Sequence, residues 1–135
     1  MSSKVKYLSS ILSPISLGEL IDKITILEIK KIHMTGIKLK NIDKELKLLK
    51  YILQDRNLEI DLNLINNLKK INQSLWEIED NIRIKESNQE FDKEFIQLAR
   101  SVYKENDRRA SIKKEINQKY NSELVEEKSY NNYLI

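Results

Sequence analysis

The sequence predicts an all-α fold, an antiparallel bundle of about four helices with a short N-terminal arm and a C-terminal tail. Only 2 Gly and 1 Pro occur among the 135 residues, and such scarcity of turn residues favours long helices with short connections. Apolar residues also recur at steps of three and four in several separate stretches, as they do on one face of a helix. The length suits one domain, so we expect a single helical domain over residues 1–135, with its core in residues 14–130.

The first two helices are predicted from a start signal and a stop signal. Ser16 is followed three residues later by Glu19, a capping box in which each side chain bonds the other's backbone N–H. Gly36 suits the left-handed position after a last helical turn. We therefore expect the first helix at residues 17–34 and the second at residues 37–53. The apolar stripe of the second comprises Leu39, Ile42, Leu46, Leu49 and Leu53.

Two longer helices follow. The third is expected at residues 61–86, and its stripe comprises Leu64, Leu68, Ile71, Leu75, Ile78 and Ile82. The fourth, at residues 92–120, begins with Asp92 as its N-cap. Its stripe opens with Phe95, Ala99 and Val102 and resumes at Ile116 and Tyr120. Residues 4–12 are expected to form an extended arm. The tail from residue 123 to 135 is expected to pack back on the body of the bundle, where a short helix is one conformation that it can adopt.

Composition excludes several kinds of chemistry. The absence of Cys excludes a disulfide framework, a thiolate zinc site and a Cys nucleophile, and a single His excludes a His-rich metal site. The net charge of +3 comes from acidic and basic residues that alternate along the chain. The sequence therefore contains no basic stripe of the kind that binds nucleic acid, and we do not expect nucleic acid as a partner. No apolar run reaches membrane-spanning length and no signal peptide is recognisable, so we expect no membrane association and a cytoplasmic location.

Polar side chains interrupt the apolar stripes of three predicted helices. Glu28 follows Ile24 by four residues, and Asn106 follows Val102 by four. Because an α-helix turns by about 100° per residue, such positions share a face with the stripe. We identify six candidate ligand-binding residues in these positions: Glu28, Glu79, Arg83, Asn106, Arg109 and Lys113. We also expect both glutamates to be largely buried and to pair with the basic residues of this group.

Two hypotheses fit this arrangement. The first is a charge-lined pocket inside the bundle that binds or acts on a small anionic or phosphorylated ligand. The second is a non-enzymatic interaction or assembly protein in which the same charges form a structural ion-pair layer. A pocket requires a cleft open to solvent beside Arg109 and Lys113, whereas an adaptor requires an exposed apolar patch and charges closed off by ion pairs. No catalytic residue is assigned, and the sequence leaves open whether the chain is an enzyme.

Cofactor and partner expectations rest on the first and third helices. Glu19 and Asp22, and likewise Glu77 and Asp80, lie one helical turn apart, a spacing that can hold Mg²⁺ and that is also common on solvated helices. Magnesium thus stays an alternative, and the cofactor is unassigned. Residues Ile26 and Ile29 lie away from the main stripe of the first helix. This second apolar side meets either another helix of the bundle or another subunit of a homo-oligomer.

Several stretches resemble a family of short bacterial and phage proteins known only as a domain of unknown function. The similarity extends from about Pro14 to Tyr130 and is carried by Gly18–Lys30, Leu75–Asp80, Phe95–Asn117 and Leu124–Tyr130. The resemblance implies the same all-helical fold and implies no activity. It favours the pocket, because the similar stretches contain many of the polar residues named above. Nucleotide pyrophosphohydrolases of the MazG kind match poorly, because their two carboxylate motifs are arranged differently.

Overall fold

A computed structural model describes residues 10–133 of the chain, and within that range it contains four helices and no strand. They are α1 (Leu17–His33), α2 (Gly36–Asp55), α3 (Leu62–Ser87) and α4 (Lys93–Lys119). The predicted all-α fold with about four helices is confirmed, and each predicted boundary lies within two residues of the observed one. None of these helices combines the length and the hydropathy that crossing a membrane would need.

The helix starts follow the capping rules only in part. Ser16 Oγ accepts the N–H of Glu19 at 3.1 Å, and Asp92 Oδ1 accepts the N–H of Phe95 at 2.9 Å. The Glu19 carboxylate, however, lies 2.6 Å from Lys113 Nζ of α4. The predicted reciprocal bond of the capping box is therefore wrong, because an ammonium group is a stronger partner for a carboxylate than a backbone amide.

Helix α1 is the central element, because it packs against α2, α3 and α4. It runs antiparallel to α2, since Lys31 pairs with Asp43 at 3.1 Å while Glu28, one turn earlier, pairs with Lys50 at 3.5 Å. It also runs antiparallel to α4, since Gly18 contacts Asn117 while Asp22, one turn later in α1, contacts Arg109, which lies two turns earlier in α4.

Helices α3 and α4 are antiparallel to each other. The start of α3 meets the end of α4, where the Asp61 N–H donates to the Tyr120 hydroxyl at 2.7 Å. At the other end, Lys85 bonds Glu90 and Asp92 across the short connection. Helix α3 therefore runs parallel to α1, with α4 returning beside both.

The core consists of two apolar clusters on neighbouring sides of α1, and Leu17 packs against both. One lies against α2 and contains Leu20, Ile24, Leu27, Ile42 and Leu46. The other lies between α1, α3 and α4 and contains Ile21, Leu64, Leu68 and Ile116. Because α1 contributes to both clusters, its first turns are held on two sides.

The connected ends of α3 and α4 extend past α1 and form a two-helix hairpin, residues 78–102. Helix α1 has 17 residues, whereas α3 has 26 and α4 has 27. No third helix covers this hairpin, so Phe95 and Val102 are only half-buried and Ala99 is exposed. The prediction that these three residues are buried in the interior is therefore wrong, although the predicted helix is present.

The two chain ends are irregular where they are described. Residues 4–9 of the predicted arm lie outside the described range, and residues 10–12 are exposed and non-helical. Residues 123–133 contain no helix and run back along α4, because Glu126 contacts Lys113 and Tyr133 contacts Tyr103. The expected packing of the tail on the body is confirmed over these residues, while residues 134–135 lie outside the described range.

Candidate functional site

The candidate site is built around Asp22, a fully buried carboxylate in the second turn of α1. The Nε–H of Arg109 donates to both of its oxygens, at 3.0 and 3.1 Å, and Nη2 contacts Oδ2 as well. Asn72 of α3 donates from Nδ2 to Oδ1 at 2.8 Å. Asp22 thus joins α1, α3 and α4 through hydrogen bonds that satisfy a charge buried away from water. Its side chain raises the pKa of Arg109, so that guanidinium stays charged.

Neighbouring side chains fix the orientation of Asp22. The same Asn72 amide lies 2.9 Å from Thr25 Oγ1, and the Thr25 hydroxyl donates to the backbone carbonyl of Asp22 at 2.8 Å. Both Thr25 and Asn72 are buried. A buried polar cluster whose members bond one another holds a narrow geometry. Thr25 and Asn72 therefore fix Asp22, and Asp22 in turn fixes the position of Arg109.

Lys113 is the second buried cation, with only 7% of its side chain exposed. Its Nζ lies 2.6 Å from Glu19 Oε2, 3.2 Å from Glu126 Oε1 and 3.7 Å from Asp22 Oδ2. Burial alone would lower the pKa of Lys113, but the three carboxylates outweigh it and the pKa is raised. An ammonium group has three N–H donors, and here each has a carboxylate nearby. Lys113 is therefore committed to its ion pairs.

A close approach between α1 and α4 makes these contacts possible. The Gly18 N–H donates to Asn117 Oδ1 at 2.7 Å, and Asn117 is buried. A Cβ on residue 18 would lie 2.5 Å from the carbonyl oxygen of Lys113, which is backbone and cannot move aside easily. Gly18 thus lets the first turn of α1 lie against α4, within reach of Arg109 and Lys113.

One cleft lies between α4, Glu19 and the C-terminal tail, and we call it the tail cleft. Its volume is about 820 Å³, within the range of small-molecule sites. Its charged lining residues are three basic and three acidic: Arg109, Lys113, Lys128, Glu19, Asp107 and Glu126. The tail is held at both of its ends, by the Lys113–Glu126 pair and by an edge-on contact between the Tyr103 and Tyr133 rings with centroids 4.9 Å apart.

The second cleft lies between α1, α3 and α4 on the opposite side of Arg109, and we call it the Trp76 cleft. Its volume is about 450 Å³, and its apolar lining comprises Ile26, Ile29, Leu75 and Trp76. Its charged lining residues besides Arg109 are Lys30, Glu79, Asp80 and Arg83. Asn106 and Arg109 line both clefts and form a common wall between them. In that wall, Arg109 Nη1 lies 3.5 Å from Asn106 Oδ1.

The structure brings five of the six predicted site residues to these two clefts. Asn106 and Arg109 form the common wall, Lys113 lines the tail cleft, and Glu79 and Arg83 line the Trp76 cleft. Asn106 is exposed, so its predicted interior position is wrong. It lines the two clefts rather than the packed interior.

Glu28 is the sixth residue, and it lies elsewhere. It pairs with Lys50 of α2 with 28% of its side chain exposed, and Glu79 pairs with Arg83 with 44% exposed. The prediction that both glutamates are largely buried is wrong, and so is the expected pairing of Glu28 with Arg83, Arg109 or Lys113. The physical reason is that α1 is buried on two sides, and Glu28 lies toward α2 rather than toward α4.

Asp22 and the two buried residues that orient it, Thr25 and Asn72, are what the sequence-based reasoning missed as site residues. Asp22, Thr25 and Ile29 are spaced as one helical face, and the prediction left open whether this side of α1 meets another helix of the bundle or another subunit. Ile29 is 1% exposed within the chain, so that part of the face is not free for a second subunit. The available signal was Ile29, an apolar residue that shares its helix face with the polar residues Asp22 and Thr25. Asn117 and Glu126 carried no such signal, because their roles depend on contacts distant in the sequence.

The proposed magnesium pairs have other partners or lie in solvent. Asp22 bonds Arg109 and Glu19 bonds Lys113, while Glu77 and Asp80 are exposed on α3. Over residues 10–133, no group of three or more acidic or histidine side chains is placed to hold a metal ion.

Comparison with known proteins identifies a family and goes no further. A family model described as a family of unknown function, DUF6165, matches residues 12–135. The predicted resemblance to a domain of unknown function is thereby confirmed. No match to this chain was found among curated proteins or among solved structures.

Proposed function

Because the chain belongs to DUF6165, a family of unknown function, its activity has to be inferred from the site, and we propose that it binds a small anionic ligand in the tail cleft. The ligand carries a carboxylate or a phosphate, and its remaining part lies between α4 and the tail. Asn106 and Arg109 are the expected contacts of the anionic group.

The observation that carries this proposal is that Asp22 takes up only one edge of the Arg109 guanidinium and its N–H donors. Its Nε–Nη2 edge is bound to Asp22, whereas Nη1 has only the long 3.5 Å contact to Asn106. A guanidinium has five N–H donors and binds carboxylates and phosphates through two of them at once. With 28% of its side chain exposed, Arg109 combines a fixed position with a place in the lining of the tail cleft. Such preorganisation lowers the entropic cost of binding.

The other charges of the cleft limit what the ligand can be. Because basic and acidic residues are equal in number, the cleft has no strong net field to attract a highly charged anion. Recognition therefore depends on the direction of a few donors. The phenol rings of Tyr103 and Tyr130 and the amide of Asn131 also line the cleft, and they suit a ligand with a flat or hydroxylated body.

The test is a thermal-shift screen of phosphorylated metabolites and small carboxylates at constant ionic strength. A ligand present at 100 times its Kd stabilises the folded state by about 2.7 kcal/mol. We expect the response of the wild type to be lost in Arg109→Gln and kept in Arg108→Gln. Arg108 is the matched control, because it is adjacent, 70% exposed and paired only with Glu105 among the described residues. An equal response of the two variants would show that Arg109 does not hold the anion.

The second candidate function, a non-enzymatic interaction or assembly protein, is favoured by the exposed end of the hairpin. Ile84, Phe91 and Ile96 are each more than half exposed there, and exposed apolar side chains close together often mark a protein contact. The fully paired state of Lys113 also agrees with a structural ion-pair layer. If no anion in the screen stabilises the protein, this candidate is to be preferred, and a Phe91→Ser variant should then lose its partner.

A further inference from the structure

The basic groups of the tail cleft are already matched by resident carboxylates. The lining contains three basic and three acidic residues, and the buried Asp22, which binds Arg109, adds a fourth acidic one. An added anion would therefore leave a negative charge without a partner in a partly buried site, which is unfavourable. The balance is kept only if a resident carboxylate leaves its place as the anion arrives.

The three carboxylates around Lys113 differ in how firmly they are held. Asp22 is 1% exposed and Glu19 is 29% exposed. Both belong to α1, which contributes to both clusters of the core. Glu126 is 40% exposed and belongs to the tail, in which no residue from 121 to 133 is helical. Glu126 is therefore the carboxylate that can leave Lys113 without the movement of a helix.

Release of Glu126 leaves it with another partner. Its Oε2 lies 3.5 Å from Lys128 Nζ, and Lys128 belongs to the same stretch of the tail. A carboxylate that is already exposed to this extent loses little when water replaces an ion pair. Lys113, in contrast, is buried, so a vacant position beside it favours the entry of another anion.

The place that Glu126 occupies is close to Arg109 as well as to Lys113. Both cations contact the same oxygen, Asp22 Oδ2, so their charged groups are neighbours. Asp22 chiefly raises the pKa of Arg109, and the charges of Glu19 and Glu126 add to the effect. A carboxylate in the place of Glu126 therefore interacts with both cations.

We propose that the ligand of the tail cleft is a monocarboxylate that binds by exchange, its carboxylate taking the place of the Glu126 carboxylate beside Lys113 while residues 124–128 move away from α4. This inference rests on the proposed function and names the charge of its ligand. One negative charge then replaces one, whereas a phosphate monoester carries about −1.5 to −2 near pH 7 and would exceed the balance. Glu126 acts as an internal competitor of the ligand.

The experiment titrates three one-ring probes into the full chain at constant ionic strength and follows the backbone amide signals by NMR. Benzoate carries one charge, benzamide carries none, and phenyl phosphate carries about two. Glu126→Gln removes the competing charge and keeps the size of the side chain. Glu127→Gln is the matched control, because Glu127 is adjacent, exposed and lines neither cleft.

We expect Glu126→Gln to bind benzoate about fivefold more tightly than the wild type, the factor that corresponds to an ion pair of about 1 kcal/mol. Glu127→Gln should stay within about twofold of the wild type, because salt screens a charge that is exposed outside the cleft. The wild type should bind benzoate more tightly than phenyl phosphate, and it should bind benzamide more weakly than either.

Movement of the tail is a second readout, which a change of charge alone would not produce. When benzoate saturates the wild type, the heteronuclear ¹H–¹⁵N NOE of residues 124–128 should fall. The value at residue 133 should be kept, because the Tyr133 ring packs on Tyr103. Benzamide at the same concentration should change neither value.

Several results would overturn the exchange. Equal affinities of Glu126→Gln and Glu127→Gln for benzoate would show that Glu126 does not compete, and unchanged NOE values at saturation would show that the tail stays in place. Tighter binding of phenyl phosphate than of benzoate would refute the monocarboxylate. Absence of benzoate binding by both the wild type and Glu126→Gln would exclude the exchange as well. If Glu126→Gln does not fold, the NOE measurement on the wild type decides.

The proposed function is tested separately, by the thermal-shift comparison of Arg109→Gln with Arg108→Gln. An anion whose effect depends on Arg109, together with any of the contrary results above, would leave anion binding in place and remove the exchange alone. A screen in which no anion depends on Arg109 would remove both.

Discussion

Replacing Asp22 by Asn tests whether the buried network holds the bundle together. The substitution keeps the size of the side chain and removes the charge that Arg109 and Lys113 share. Removing one partner of a buried ion pair costs about 3–5 kcal/mol, because the other charge stays buried without compensation. We expect the lower end, about 3 kcal/mol, since Arg109 is 28% exposed to water and Lys113 keeps Glu19 and Glu126. In a domain of this size, that loss corresponds to a fall in Tm of about 10 °C.

The assay is urea denaturation followed by circular dichroism, with Asp43→Asn as the matched control. Asp43 also pairs with a lysine, Lys31 at 3.1 Å, but 34% of its side chain and 53% of that of Lys31 are exposed. Such a surface pair contributes about 0.2–1 kcal/mol, so the control should lose no more than that in free energy of unfolding.

A double variant adds a second check. If Asp22 and Arg109 stabilise each other, Asp22→Asn combined with Arg109→Gln should cost at least about 1 kcal/mol less than the sum of the two single changes. Equal losses for Asp22→Asn and Asp43→Asn would refute the reasoning, because the network would then contribute no more than a surface pair.

Three further predictions concern the contacts around this network. Gly18→Ala should lower the free energy of unfolding by about 1–3 kcal/mol in urea denaturation, although Ala is the better helix former, because the new Cβ meets the carbonyl oxygen of Lys113 at 2.5 Å; a stabilised variant would contradict the close approach. Burial would raise the pKa of Glu126, but Lys113 outweighs it and the pKa lies below its ordinary value. The contribution of Glu126 is therefore complete above its ordinary pKa and is lost as pH falls through the lowered one, and an NMR titration of its carboxyl carbon should show a midpoint below 4.5. Asn106→Leu should be at least as stable as the wild type by thermal unfolding, because Asn106 is exposed and Leu is the better helix former, yet it should lose the anion-dependent rise in Tm; an unchanged rise would remove Asn106 from the site.

The helices were predictable because their signals are local. Side-chain caps such as Asp92 lie within a few residues of the amides they bond, and the spacing of apolar residues is set by the 3.6-residue turn. Burial was less predictable, because it depends on which helix covers which. Glu28 and Asp22 lie on different sides of α1, and both sides are buried by neighbours. A helix that is covered twice has no single interior face, so a wheel phased on the longest apolar stripe selects one side and overlooks the other.

The site depends on the same central placement of α1. A carboxylate in its second turn can reach both α3 and α4 only because Gly18 removes the side chain that would keep α4 away. Asp22 then binds one edge of Arg109, and this fixes the guanidinium in the wall that separates the two clefts. A change at Asp22 should therefore alter anion binding without touching the ligand, by releasing Arg109 from its position. Asp22→Asn provides that comparison as well. At a temperature where it is still folded, it should bind the anion more weakly than Asp43→Asn does, and equal binding by the two would mean that Arg109 is positioned by α4 alone.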